Sequence, residues 1–482
     1  PIAAGGAFRS CLKPACSGRM EFDMKILIKN GRVVTPRGTC AADVLIEGSR
    51  IAQVGEGLSE SGCNLYDAAG CLLFPGFIDA HTHLDMDNGV TVSSDDFETG
   101  TAAAVCGGTT TILDFATQDR GGTLAKALAD WHTKSDGKAS CDYGFHMAIT
   151  DWNDEVSREI DGMAQAGVTS FKLYLAYDNL RLPDGQVYEV LKRVHQIGGI
   201  VGTHCENGDL INELAGELRR AGKLSPRYHP FARPDYVEAE AIARYCYIAL
   251  AADAPVNIVH LSTRLGLEEA RRARARGQQV YIETCPQYLM LDESLYEQPG
   301  FEAAKYVCSP PLRTAADRAA LWDAISNNEV DTISTDHCGY NFKGQKELGR
   351  DDFMKIPNGM PGVEHRPAVL YTYGVEAGRM TEGQMAAMLS ENTARLFGMY
   401  PQKGVVAPGA DADIVVWDPS YSGVISVRTQ HQNCDYTPLE GMAVHGRAKA
   451  VFLRGEQVVS DGEVIRAHRG AFVARGRSDL QR

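Results

Sequence analysis

No apolar run in the 482-residue sequence approaches the roughly 18 residues that a membrane-spanning helix needs, and residues 1–23 lack the continuous apolar stretch of a secretory signal. Embedding in a membrane or export by that route is therefore not expected. An excess of basic charge is also missing: 48 Lys and Arg stand against 62 Asp and Glu, a formal charge of −14. The one basic cluster, Arg271 to Arg276, follows Glu268-Glu269 without interleaved aromatics and reads as a solvated helix face. Neither nucleic acid nor an anionic membrane is an expected partner. The 13 cysteines form no CxxC pair and follow no regular spacing, which argues against a disulfide framework and for a reducing compartment, the cytoplasm. Residues 1–23 do not start with methionine and have loop-like composition. They read as a disordered extension before a domain start near Met24, with a metal or redox pair at Cys11 and Cys16 as the alternative.

What is present is the composition of a soluble globular protein, 44% hydrophobic and 23% charged, long enough for one large domain and a smaller one. Short β-rich runs at Ile26-Leu27-Ile28, Val44-Leu45-Ile46 and Ile51-Ala52-Gln53-Val54 are broken by Asn30-Gly31 and Gly48, the pattern of hairpins. The same texture returns at 413–417, 450–453 and 458–459, so a small β domain assembled from both ends (24–75 and 401–465) is expected. Between them, at 76–400, eight apolar strand-like runs alternate with helix-like segments: 77–83, 109–116, 142–149, 169–175, 198–204, 256–262, 279–284 and 331–336. Such alternation implies parallel strands joined by helices, as a (β/α)8 barrel or as a doubly wound open sheet. The barrel is preferred because polar chemistry recurs at the ends of separate strands, where barrels build their sites. Residues 466–482 form a C-terminal tail that either reaches a neighbouring subunit or is disordered.

His81-Thr82-His83 places two imidazoles on one face of a strand, since side chains alternate along it. They are either half of a zinc-type coordination sphere or two structural histidines. Lys172, His204, His260 and Asp336 fall at the ends of other expected strands. Singly, each has an ordinary explanation as a hydrogen-bonded core group or a helix cap; together at strand termini they are hard to attribute to packing. His146 and His337 read as outer groups that orient a ligand or substrate. His132, His195, His365, His445 and His468 read as solvated.

The sequence resembles the cyclic amidohydrolases of the dihydropyrimidinase and D-hydantoinase family over residues 24–465. The motifs are Gly76-Phe77-Ile78-Asp79-Ala80-His81-Thr82-His83, Thr169-Ser170-Phe171-Lys172-Leu173-Tyr174, His204-Cys205-Glu206-Asn207, Ile258-Val259-His260-Leu261-Ser262, Glu283-Thr284-Cys285-Pro286-Gln287-Tyr288-Leu289, Ser309-Pro310-Pro311-Leu312-Arg313, Thr335-Asp336-His337-Cys338 and Ile356-Pro357-Asn358-Gly359. The resemblance implies a (β/α)8 barrel with a β-sandwich from both chain ends. It implies two divalent metals, zinc with manganese or iron as alternatives, His81, His83 and Asp336 holding the buried one and His204 and His260 the more exposed one. Lys172 would bridge them as a carboxylated lysine, which turns a cation into a two-oxygen anionic ligand. A hydroxide shared by the metals, whose pKa falls from about 15.7 toward about 7, would open a cyclic amide of a hydantoin or dihydropyrimidine to an N-carbamoyl amino acid. Asp336 would carry the proton, Tyr177 would donate to the oxyanion, and the backbones of Ser309 and Asn358 would grip the ring's NH-CO-NH edge. A homotetramer is expected on the same ground.

Two related enzymes and one other class compete. Dihydroorotases carry an arginine two residues past the second histidine, where this chain has Leu84-Asp85, an acid that repels an anionic substrate. An allantoinase-type ureide hydrolase shares the metal set. A non-catalytic scaffold protein related to dihydropyrimidinase would have lost ligands, yet all six positions are filled here. Tyr174, Leu175, Met86 and the loop Asp85 to Val92 are expected to line the pocket and to favour a bulky aromatic 5-substituent.

Overall fold

The computed structural model describes residues 25–480, so the extension with Cys11 and Cys16 lies outside the described residues. Eight parallel strands form the centre: β1 Phe77–Thr82, β2 Thr109–Thr117, β3 Asp142–Ala148, β4 Ser170–Tyr174, β5 Ile200–His204, β6 Val256–Ile258, β7 Val280–Thr284 and β8 Thr332–Ile333. They pair in chain order. The ring closes where His83 N donates to His337 O at 2.8 Å and Thr82 bridges His337. The sheet is therefore a (β/α)8 barrel, not an open doubly wound sheet. Amphipathic helices, among them Asp154–Gln165, Asp184–Gln196 and Arg264–Ala275, bury their apolar face on its outside. Buried Phe145, Phe171, Ile258 and Ile282 receive them.

Two expected strands stop short. The runs 256–262 and 331–336 give only Val256–Ile258 and Thr332–Ile333. His260 and Asp336 have φ of 39° and 52°, in the left-handed region, so the extended conformation cannot continue through either. Both side chains thus sit on loops just beyond the strand ends.

A four-stranded sheet, Arg50–Gly55, Asp43–Glu47, Lys25–Lys29 and Cys63–Asp67, comes from the first part of the chain. A seven-stranded sheet mixes both ends, with Leu72–Pro75 antiparallel to Ile414–Val424. Their facing side chains, including Ile28, Val44, Ile46, Leu73, Ile414, Val416 and Phe452, make one apolar layer.

The C-terminal residues pack on the barrel of their own chain. Residues 470–480 run under the N-terminal face of their own barrel, where Gly470 N, Val473 N, Arg475 N, Gly476 N and Ser478 N donate to Ala139, Tyr143, Gly167, Gly398 and Gly198 carbonyls at 2.8–3.0 Å. Val473 packs with Ile78, Ala80, Leu113 and Phe397 inside the floor.

Candidate metal centre

His81 and His83 project from β1 toward the mouth, the i, i+2 geometry of a strand. Their donor atoms and an Asp336 oxygen all lie within 4.8 Å of one another. Asp336 Oδ1 is 3.2 Å from His81 Nε2 and 3.1 Å from His83 Nε2. On the other side of His81, Nδ1 donates to Glu283 Oε1 at 2.7 Å, which fixes the tautomer and turns the Nε2 lone pair into the site. That Nε2 is buried without a hydrogen-bond partner, as a cation ligand stripped of its cation would be. Burial pushes His81 down, but Asp336 and Glu283 outweigh it and its pKa stands raised. Burial is also the largest influence on Asp336 and pushes it up, yet His81 and His83 hold its carboxyl well below the usual range. The carboxylates of Asp336 and Glu283 thus favour positive charge at the point where the His81 and His83 nitrogens meet, which a divalent cation would supply.

The second pair lies on β5 and beyond β6. His204 Nδ1 and His260 Nε2 are 3.0 Å apart, and the His260 and His81 rings lie 5.4 Å centre to centre. Burial lowers both pKa values, so both imidazoles are neutral and available as ligands. His204 Nε2 is held by Glu206 Oε2 at 2.8 Å, and Glu206 is in turn paired with buried Arg233. Burial opposes ionisation of Glu206, but Arg233 and His204 bring its carboxyl down to about 2. Glu283 also accepts from His260 N at 3.1 Å, so one buried carboxylate braces a ligand of each pair.

Lys172 on β4 is 1% exposed, and among the described residues its side chain makes no hydrogen bond or ion pair. Its Nζ sits over the rings of Phe115 and Tyr174, 5.0 and 5.3 Å from their centres, and Phe115 also packs on His81 and His83. Burial lowers its ammonium to about 8. An unpaired buried cation beside four imidazoles is costly unless it is converted to something else. Among the described residues one other acidic group has metal-like spacing, Asp142, Asp411 and Asp413, but Lys403 Nζ already sits 2.6, 3.0 and 2.6 Å from them.

Tyr177 follows β4 with φ of 68° and packs 5.2 Å from the His204 ring, centre to centre. A left-handed tyrosine is strained, and such strain gathers at functional sites. The buried Ser309 Oγ lacks a hydrogen-bond partner of good geometry and lies beside the Tyr177 hydroxyl, whose acidity it affects. Asn358 lies on the adjoining segment, where Gly359 N donates to Val307 O at 3.0 Å. Hence the side chains singled out at 81, 83, 336, 204, 260, 172 and 177 converge on one mouth, with Ser309 beside Tyr177.

His146 and His337 do not touch the ligands. His146 Nε2 donates to Ala80 O at 2.9 Å and so holds the backbone next to His81, whereas His337 Nδ1 accepts from Gly362 N and Val363 N, away from the ligands. His365, expected to be solvated, is buried at the start of the helix Arg366–Leu370. Glu283, Glu206 and Arg233 were missed. Glu206 stands two residues past His204, the same spacing that made His81 and His83 conspicuous, whereas Arg233 carries no comparable signal.

The amidohydrolase family model matches residues 72–458. A D-hydantoinase of Geobacillus stearothermophilus is 46% identical over 92% of this chain and 94% of its own length. A D-hydantoinase of Streptomyces coelicolor is 44% identical over 94% and 98%. The crystal structure of a dihydropyrimidinase from Brevibacillus agri superposes with a TM-score of 0.93 at 45% identity, covering 94% of this chain and 99% of that one.

Proposed function

The chain belongs to the amidohydrolase family, and from that premise we propose how its residues serve the reaction. It hydrolyses the cyclic amide of hydantoins or dihydropyrimidines to N-carbamoyl amino acids. His81, His83 and Asp336 would hold one divalent cation and His204 and His260 another, zinc fitting a set of imidazole and carboxylate donors. Lys172 would join the two after its amine adds carbon dioxide and loses a proton, becoming a carbamate. When bound, the cations supply acidified water and polarise the amide carbonyl.

The side chains do the rest. Asp336 accepts the proton of the attacking water and returns it to the leaving ring nitrogen. Tyr177 donates its hydroxyl proton in a hydrogen bond to the oxygen on which charge develops. Ser309 and Asn358 present backbone groups to the NH-CO-NH edge of the ring. Glu283 and Glu206 hold the imidazoles of His81 and His204 in the ligating orientation. The observation that carries this assignment is the meeting of His81, His83 and Asp336 within 4.8 Å above a buried lysine that has no charge partner.

In the same proposal residues 76–400 form the hydrolase unit, and 24–75 with 401–465 its sheet domain. Exposed Tyr236, Tyr247 and Leu250 on the helix Asp235–Ala252 offer a surface for contacts between copies, as a homotetramer requires, and the eleven described cysteines, all free thiols, suit the cytoplasm. A turnover panel of dihydrouracil, 5-phenylhydantoin, allantoin and dihydroorotate, run with metal analysis on wild type and Lys172→Ala, tests the assignment. Hydrolysis of the first two, lost in Lys172→Ala together with metal, is expected. Turnover of dihydroorotate alone, or full activity in Lys172→Ala, would overturn it.

A further inference from the structure

Lys346 is among the most deeply buried charged side chains of the protein, with 0% of its surface exposed, and no carboxylate pairs with it. Its Nζ instead donates to three backbone carbonyls: Val307 at 2.9 Å, Pro357 at 2.7 Å and Gly359 at 2.7 Å. An ammonium has three protons, and all three are used. These carbonyls belong to two segments far apart in sequence, one leading to Ser309 and the other flanking Asn358 on both sides. The remaining neighbours are fixed as well. His229 Nε2 donates to Cys308 O at 2.7 Å, and Tyr288 Oη to Pro310 O at 2.8 Å. Every carbonyl flanking Ser309 and Asn358 is therefore engaged, while among the described residues no hydrogen bond engages the backbone of Ser309 or Asn358 itself. The two residues that stay free are the two assigned to the substrate ring.

We propose that Lys346 is a positioning residue for substrate recognition, its ammonium tying the Ser309 segment to the Asn358 segment and setting the distance between the two backbone grips on the ring. Ser309 and Asn358 enter here as ring contacts, the role proposed above. Burial lowers the Lys346 ammonium to about 8, the cost of holding a cation on carbonyl dipoles alone. A neutral apolar residue would avoid that cost but would leave the buried carbonyls of Pro357 and Gly359 without donors and the two segments joined there only by the hydrogen bond from Gly359 N to Val307 O. The preceding residue makes a separate tie: Gln345 Nε2 donates to Thr91 Oγ1 at 2.7 Å and to Val92 O at 2.6 Å, reaching the loop after β1 and not the Ser309 or Asn358 segments.

The test compares hydantoin with 1-methylhydantoin, which keeps the scissile amide but loses one N–H of the gripped edge. Wild type, Lys346→Gln, Lys346→Arg and Gln345→Ala are assayed as purified holoenzymes of matched metal content. A site built to hydrogen-bond an N–H rejects the analogue that lacks it, and loosening the grips erodes that rejection. Lys346→Gln is expected to raise KM for hydantoin by about tenfold, to change kcat less, and to lower the discrimination ratio by a similar factor. Lys346→Arg, which keeps charge and donors, restores part of the ratio, and Gln345→Ala leaves it at the wild-type value. Wild-type KM and discrimination in Lys346→Gln would overturn the proposal while leaving the assigned reaction intact. So would failure of both lysine variants to fold, which assigns Lys346 to stability alone. No turnover of hydantoin or dihydrouracil by the wild type overturns the proposal together with the reaction it rests on.

Discussion

Glu283 shows how much of the centre depends on groups that never meet the substrate. It is buried, binds His81 Nδ1 at 2.7 Å and His260 N at 3.1 Å, and keeps its second oxygen without a partner. Removing its charge leaves His81 free to rotate and to adopt the other tautomer. Glu283→Gln is expected to weaken metal binding or activity by about 10–100-fold, because carboxylates behind ligating histidines typically matter that much. Zinc titration against a competing chelator, alongside kcat/KM, checks this; wild-type values in both would remove Glu283 from the ligand set's support. At this scale the candidate ligands were legible only as a set, because a histidine, lysine or aspartate at one strand end has an ordinary structural explanation and their recurrence at several does not. Glu283 and Lys346 were not. A glutamate within a strand gives no sign of which ring it will face, and Lys346 sits in Gly344-Gln345-Lys346-Glu347, a polar stretch whose default reading is a solvated loop.

At the scale of elements, alternation of apolar runs with helical spacing made the eight strands readable, since parallel strands covered on both faces are continuously apolar. The ends of β6 and β8 were misjudged because a positive φ at His260 and Asp336 is a property of tertiary context and not of residue type. The C-terminal segment was invisible for another reason: it is held by backbone groups and so has no periodic side-chain signature. Arg475 illustrates its role. The guanidinium is buried, donates to Ser170 Oγ at 2.6 Å and to the Phe145 carbonyl, and burial lowers it to about 9. Ser170 lies two residues before Lys172 and also bonds His146 Nδ1 at 2.6 Å. Deleting residues 470–480 uncovers these groups together with Val473. It is expected to lower the unfolding free energy by about 3 kcal/mol or more, at about 1–3 kcal/mol for each buried group left unpaired. Calorimetry read beside KM checks this, and an unchanged melting temperature would show that the floor closes without the segment.

For the whole molecule, the question is what holds the barrel to the sheet domain. Lys403 is buried between Asp142, at the start of β3, and Asp411 and Asp413, which lead into Ile414–Val424. Asp142 also pairs with Arg454 and Asp411 with Arg50, whereas among the described residues Asp413 pairs with no cation but Lys403. Burial pushes the Lys403 pKa down, but Asp413 and Asp411 outweigh it and the value stands raised above 10.5. A raised folded pKa contributes stability that is complete below the unfolded value and is lost only as pH rises through the folded one, so the whole contribution is present at neutral pH. Lys403→Met leaves Asp413 charged and buried without a cation, a defect of about 3–5 kcal/mol. A buried carboxylate that has lost its cation is relieved by taking up a proton. The variant's deficit against wild type therefore shrinks as pH falls from 7.5 toward about 4.5, the opposite of ordinary acid destabilisation of paired carboxylates. Urea unfolding of both proteins at these two pH values measures the difference. A deficit that is constant or grows on acidification would mean that Asp413 finds another partner and that the junction does not hang on this lysine.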